Sequence, residues 1–235
     1  MSFLKVEEIH TYYGLSHILF GVSLLVEKGE TVCLLGRNGA GKTTTLRSII
    51  GLTPPLSGRI FFGDEDITRQ PPHIIARRGI GFVPEDRRIF SDLSVRANLE
   101  VAVKSSVTGS QEWNLERVYN LFPILRARGT QAGGMLSGGE QQMLTIARSL
   151  MGNPQLLLTD EPSEGLSPLI VKEVKNQILQ LQKEGIAILL VEQNADFALG
   201  VSNRAYILDK GRVQFVGGAS ELKGDKATRK RYLGV

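Results

Sequence analysis

Residues 30–51 read ETVCLLGRNGAGKTTTLRSIIG. The first six form a short apolar strand, the last ten a helix, and residues 36–43 between them fit G-x-x-x-x-G-K-[ST]. Glycines at such a junction let successive backbone N–H groups turn inward around phosphate oxygens, and the new helix adds its positive end. Lys42 is then expected to reach the β- and γ-phosphates of a nucleotide, and the Thr43 hydroxyl to ligate Mg²⁺. A glycine-rich turn without a ligand is the competing reading, and the flanking strand and helix disfavour it.

Such a loop is common to kinases and hydrolases, and a second stretch narrows the choice. LLLTDE at 156–161 is an apolar strand ending in two carboxylates. Asp160, at the strand end, suits an outer ligand of Mg²⁺ through water, while Glu161 points elsewhere and suits polarisation of an attacking water. Adjacent acids after a strand also cap turns; the company of the phosphate loop favours the chemical role. A second glycine cluster opens LSGGEQQMLTIARSL at 136–150. Ser137 and Glu140, three residues apart, form a capping box, and Met143, Ile146, Ala147 and Leu150 share one helical face. Taken alone, Gly138 and Gly139 read as a tight entrance to an ordinary helix. Beside the Ser137 hydroxyl at a positive helix end, they also make an anion site. Because the phosphate loop already surrounds one side of a nucleotide's phosphates, this site must face the other side or another nucleotide.

Elsewhere strands and helices alternate. The first thirty residues read as an antiparallel hairpin. SGRIFFGDEDI is a strand and turn, PPHIIARRG a helix entered through its prolines, and GIGFVP a short buried strand stopped by Pro84. Between about 90 and 135, SVRANLEVAVK and EWNLERVYNLFPIL are helically spaced around the loop SSVTGSQ. Then come the strand PQLLLTD, the helix SPLIVKEVKNQILQLQKEG, the strand IAILLV, the short helix NADFALGV, and a hairpin of RAYILD and RVQFVG through Lys210–Gly211. The alternation predicts an α/β fold whose mostly parallel sheet is covered on both faces.

The 235 residues are 42% hydrophobic and 22% charged, ordinary for a globular chain. The longest apolar runs fall far short of a membrane span, and no basic segment followed by an apolar core, as in a secretory signal, stands at the N-terminus. Cys33, the one cysteine, is expected to be a buried, inert thiol. The net charge of +4 is spread out. Arg77–Arg78, Arg87–Arg88 and Arg229–Lys230–Arg231 read as solvated surface without interleaved aromatics, and no nucleic-acid partner is expected.

The phosphate loop, LSGGEQQ and LLLTDEP, in that order, resemble the ATP-binding cassette family over essentially the whole chain. The resemblance implies an α/β P-loop NTPase fold with a mostly parallel central sheet, an antiparallel β subdomain and a small helical subdomain. It implies one ATPase domain over 1–235, with 1–90 and 150–235 as the nucleotide-binding core and 91–150 as the helical part. It further implies ATP and Mg²⁺ as ligands. Gly36, Arg37, Asn38, Gly39, Ala40, Gly41, Lys42, Thr43 and Thr44 would bind ATP, Arg37, Asn38 and Ala40 mainly through backbone amides. Tyr13 matches the aromatic that stacks on adenine, with Tyr12 as competitor. Glu161 matches the catalytic carboxylate. Leu136, Ser137, Gly138, Gly139 and Glu140 match the motif that grips ATP held by a partner cassette, two cassettes pairing head to tail. Three positions depart from the family: Glu85 replaces a glutamine, Gln193 a histidine and Ser167 an aspartate. Glu85, with Thr43 and Asp160, could still hold Mg²⁺ or its water. Gln193 lacks the imidazolium charge but can donate to a γ-phosphate oxygen. Hydrolysis is expected to persist, slowed or partner-dependent.

VPEDRRIF, DEPSEGLSP and LLVEQN resemble the cassette subunit of branched-chain amino-acid importers, and YYGLSHIL with SEGL leans toward relatives serving urea and short amides. The partners so implied are a second cassette, identical or homologous, two transmembrane permease subunits and, indirectly, an extracytoplasmic solute-binding protein. The chain would sit at the cytoplasmic face of the cell membrane. Arg87, Arg88, Phe90 and the helical insertion would form the groove for a membrane subunit's cytoplasmic helix. Three rival readings stand beside this one: a soluble cassette ATPase acting on DNA or ribosomes, a phosphotransferase, and a nucleotide-gated module without catalysis.

Overall fold

In the computed structural model, which describes residues 3–104 and 113–234, the hairpin of the N-terminal segment is β1 (Leu4–Tyr13) and β2 (Ser16–Val26). The apolar strand before the phosphate loop is β3 (Thr31–Leu35), and the helix after it is α1 (Lys42–Ile49). Then follow β4 (Ser57–Phe62), β5 (Glu65–Asp66), α2 (Pro72–Arg77) and β6 (Ile80–Val83). The helical stretch contains α3 (Val95–Glu100), α4 (Leu115–Leu121), α5 (Pro123–Ala127), a 3-10 turn at Gly133–Met135 and α6 (Gly138–Met151). The chain continues through β7 (Leu156–Asp160), α7 (Pro168–Lys183), β8 (Ala187–Glu192), α8 (Ala195–Leu199), β9 (Arg204–Asp209), β10 (Arg212–Gly218), α9 (Ala219–Gly224) and α10 (Lys226–Tyr232).

Among the described residues the strands form two sheets. One is antiparallel, in the order β2-β1-β4-β5; the other runs β10-β9-β3-β8-β7-β6, parallel throughout except for the β9–β10 hairpin at its edge. Strands buried on both faces should be apolar at consecutive positions, alternate side chains entering different cores. β3 does this: Val32 and Leu34 join the core beneath the antiparallel sheet, while Cys33 and Leu35 join the core shared with α6 and α7. β8 repeats the pattern, with Leu189 and Val191 on one side and Ile188 and Leu190 on the other. Burial pushes the Cys33 thiol up to about 12, which keeps it protonated and inert.

The helical stretch departs from the expected spans in two places. SVRANLEVAVK forms helix only to Glu100, because the chain turns to dock Lys104: its amide bonds to the Met151 carbonyl, and its ammonium caps the Ala76 and Arg77 carbonyls at the end of α2. Cations favour helix C-termini. EWNLERVYNLFPIL breaks into two helices at Pro123, which has no N–H to continue α4 and instead starts α5. The SSVTGSQ loop lies outside the described residues.

Asn98, fully buried on α3, organises the segment that follows β6. Its carboxamide accepts from the Phe90 amide at 2.9 Å and donates to the carbonyls of Phe90, Leu93 and Ser94. Asn98→Ala would leave several of these buried groups unpaired and should cost about 2–3 kcal/mol. Urea denaturation checks the loss, and the Phe90 amide should exchange with solvent markedly faster than in the parent.

Candidate nucleotide-binding site

The phosphate loop needs glycine at named positions. Gly39 and Gly41 have φ of +78° and +107°, and a Cβ on Gly41 would lie 2.7 Å from Leu19 Cδ2. At Gly36 the constraint is proximity, since a Cβ would stand 2.4 Å from the Leu208 carbonyl oxygen. The helix that follows starts at Lys42 without a side-chain cap and without an acidic residue in its first turn. Its first amides and its positive end are therefore open to an anion.

Side chains converge in front of this helix start. Lys42, 4% exposed, donates to the Arg37 carbonyl at 3.3 Å and pairs with Glu161 Oε1 at 2.9 Å. Thr43 Oγ1 donates to Asp160 Oδ1 at 3.1 Å. β7 delivers both acids: Asp160 ends the strand, and Glu161, the next residue, at φ +45°, turns the chain sharply out of it. Burial pushes the Asp160 carboxyl up to about 6, the Thr43 hydrogen bond opposing and the charges of Glu85 and Glu161 adding. A cavity of about 400 Å³ opens over these groups, lined by Tyr13, Asn38, Gly39, Gly41, Lys42, Thr43, Thr44, Glu85 and Glu161. Tyr13 is 42% exposed at the mouth, whereas its competitor Tyr12 is stacked on His17.

Other expected residues stand apart. Gly36 and Ala40 are buried behind the loop, the Ala40 carbonyl accepting from the Gly211 amide, and the exposed Arg37 side chain lies beside Gly234. Gln193 is exposed and does not line the cavity. Residues 136–140 do not line it either. Ser137 and Glu140 form the capping box: Ser137 Oγ accepts from the Glu140 amide at 3.3 Å and Glu140 Oε2 from the Ser137 amide at 2.8 Å. Those bonds, with Arg128 beside it, hold the Glu140 carboxyl below its ordinary range. Leu136 is buried, Gly139 packs against Ile170, and Ser137 is exposed at the helix start. Ser167 precedes α7 without making a side-chain cap.

Two residues carry weight that the sequence reading did not give them. Glu164 lines the cavity, and burial, followed by the charges of Glu161 and Glu85, raises its carboxyl above the usual range. Its signal was a third acid three residues after Glu161. Glu192, 1% exposed, accepts from the amides of Ser163 at 3.0 Å and of Gln193 and Asn194 at 3.1 Å each. It ties the loop after Glu161 to the loop that carries Gln193. Burial raises its carboxyl, with the hydrogen bonds from Ser163 and Asn194 opposing and the Glu161 charge adding. The loop holding Glu85 is in turn fastened to α6, where Thr145 donates to the Arg87 carbonyl, Arg148 to that of Arg88 and Ser149 to that of Phe82.

An uncapped helix start, a lysine paired with an acid, and a hydroxyl beside a strand-end carboxylate stand together at one cavity, the features of a phosphate-loop nucleotide-binding protein. The comparisons narrow the class. Residues 19–164 match the ABC transporter family. The branched-chain amino acid transport ATP-binding protein BraG of Pseudomonas aeruginosa is 42% identical over 98% of this chain and 99% of its own length. The probable branched-chain amino acid transport ATP-binding protein LivF of Archaeoglobus fulgidus is 36% identical over 99% of each. LptB, the ATP-binding protein of the lipopolysaccharide export system of Escherichia coli, is 38% identical over 100% of this chain and 98% of its own length. Among solved structures, an ATP-binding cassette of an ABC transporter in its ADP conformation superposes with a TM-score of 0.84 at 27% identity, over 100% of both chains. The chain belongs to the ABC transporter family, as one of its ATP-hydrolysing cassettes.

The Asp160 shift has a consequence for stability. A carboxyl raised from 3.8 to about 6 by folding contributes stability that is present below about pH 4 and lost as the pH rises through 6. At pH 8 the ionised group costs on the order of 3 kcal/mol. Asp160→Asn should therefore raise the Tm of the nucleotide-free protein at pH 8, raise it by only about a third as much at pH 4.5, and abolish magnesium-dependent hydrolysis. Thermal melts at the two pH values, with an ATPase assay, check all three.

Proposed function

We propose that residues 1–235 are a single ATPase domain that energises a membrane importer of branched-chain amino acids. The full-length similarity to BraG and LivF supports that solute class over urea or short amides. The observation that carries the mechanism is the Lys42–Glu161 pair. An arriving triphosphate offers Lys42 a stronger anionic partner than a single carboxylate. Lys42 exchanges Glu161 for the phosphates, the helix-start amides take up phosphate oxygens, and the released Glu161 is free to polarise a water aimed at the γ-phosphate.

The hard oxygen donors of Thr43, Asp160 and Glu85 suit Mg²⁺, and the first two already touch. When bound, Mg²⁺ supplies charge neutralisation on the phosphate oxygens. Ser137, exposed and outside its own chain's cavity, serves the nucleotide of a second cassette, identical or homologous, docked head to tail. Glu192 carries the state of the loop after Glu161 to Gln193, and the hydrogen bonds from α6 carry the position of Glu85 to the helix that Ser137 starts.

A groove of about 610 Å³ opens on the side of α6 facing α2, with Leu52, Phe82, Phe90, Val101 and Arg148 in its wall. Phe90, 49% exposed, lies under the Arg148 guanidinium at 4.9 Å. This groove receives a cytoplasmic helix of a permease subunit and holds the chain at the inner membrane face. No described helix is long and apolar enough to cross a membrane.

The test is uptake by the reconstituted transporter, with its permease subunits, second cassette and solute-binding protein. Leucine, isoleucine and valine should accumulate with ATP hydrolysis. Glu161→Gln in this chain should leave ATP bound and slow turnover roughly 100-fold or more. Accumulation of urea but not leucine would refute the solute, and normal turnover in the variant would refute the role of Glu161.

A further inference from the structure

Three histidines occur in the chain, and two of them meet. His10 lies near the end of β1 and His17 near the start of β2, with Nδ1 of the first 3.2 Å from Nε2 of the second. The strand register brings them together. Tyr12 pairs with His17 and Thr11 with Leu19, so Ile18 is an extra residue that bulges β2. A bulge re-aims the side chains flanking it. Ile18 enters the wall of the nucleotide cavity, while His17 joins the cluster of His10, Tyr12 and Phe20. The His17 ring is held between two others: Tyr12 stacks on it at 4.0 Å with an 11° interplanar angle, and Phe20 packs at 3.8 Å. Both histidines are half-buried, fixed by neighbours yet open to small solutes.

The separation is informative. Two imidazole nitrogens on one tetrahedral Zn²⁺, each at about 2.0–2.1 Å, stand about 3.3 Å apart, close to the 3.2 Å between these two. Adjacent positions of a square-planar ion would draw them to about 2.9 Å. We propose that His10 and His17 form a binding site for a tetrahedral, imidazole-preferring divalent metal ion, with zinc the best match and water completing the coordination. In the metal-free pair one ring donates a hydrogen bond to the other. The donating ring shifts to its other tautomer through solvent, its proton passing to the ring nitrogen remote from the pair, and each neutral ring then turns a lone pair onto the ion. Arg212, the cation seated on this cluster, lies over Phe20 at 5.1 Å from the ring centroid and not between the two nitrogens. Among the described residues no group of three histidines, cysteines or acids completes a closed cage. The site is thus a two-imidazole chelate, weaker than a structural zinc centre and suited to reversible occupancy. It clasps the two strands of the hairpin that presents Tyr13 and Ile18 to the nucleotide cavity.

The full-length, nucleotide-free protein, in buffer saturated with Mg²⁺ to fill the carboxylate site, is titrated with zinc chloride while the histidine ring ¹⁵N shifts are followed. One equivalent should move His10 Nδ1 and His17 Nε2 together. His10→Gln and His17→Gln should each lower zinc affinity at least tenfold, with unchanged MgATP hydrolysis in zinc-free buffer. With Cu²⁺ as probe, electron paramagnetic resonance should show two coupled nitrogens, one lost in each variant. Zinc shifts that spare both rings, equal zinc affinity in parent and variants, or no binding at millimolar zinc would each overturn the assignment.

Discussion

The buried ion pair between Lys42 and Glu161 is the contact on which the rest of the site depends. Taking an ammonium and a carboxylate out of water costs several kcal/mol per ion, and removing either partner leaves the other stranded. Lys42 of the phosphate loop is therefore neutralised from within by Glu161, the residue proposed above to act on water. In the proposed mechanism binding and activation become one event, because the triphosphate draws Lys42 away from Glu161. Glu161 also sits at φ +45°, a backbone state that costs a non-glycine residue roughly 1–3 kcal/mol. The neighbourhood that holds it there is the Val191 carbonyl, which accepts from its amide, and the Glu192 clamp on Ser163.

The fold makes this arrangement possible through strand order. β3 and β7 flank β8 in parallel, so the loops leaving their C-terminal ends emerge side by side, which is where ligands collect in sheets of this kind. The phosphate loop leaves β3, the acids leave β7, and Glu192 at the end of β8 lies between them. The antiparallel sheet then covers one flank, and the bulge at Ile18 lets a single hairpin face the cavity with Tyr13 and Ile18 while keeping a separate aromatic and histidine cluster.

Much of this was legible in the sequence where the determining interactions are local. Strand, glycine loop and helix are contiguous in residues 30–51, and steric demand at Gly36, Gly39 and Gly41 is written in the residue type itself. The alternation of strands with helices predicted the parallel sheet, and Ser137 with Glu140 predicted a helix start that is a capping box in three dimensions. What escaped was tertiary. Glu192 drew no separate reading beside the strand IAILLV; only the fold brings the Ser163 amide to it, 29 positions away. The early end of α3 depends on where Lys104 docks, and the meeting of His10 with His17 depends on a one-residue bulge that no periodicity announces. Glu164 is exposed yet lines the cavity, a matter of how the turn after Glu161 folds back.

The central claim is that Glu161 and the nucleotide compete for Lys42. The most direct measurement is the equilibrium affinity of the nucleotide-free cassette for a non-hydrolysable ATP analogue, in the parent and in Glu161→Gln. Removing the internal competitor should tighten binding about tenfold, or roughly 1.4 kcal/mol, and the gain should vanish when Lys42 is also replaced by methionine. Equal or weaker binding by Glu161→Gln, or a gain that survives the loss of Lys42, would contradict the account.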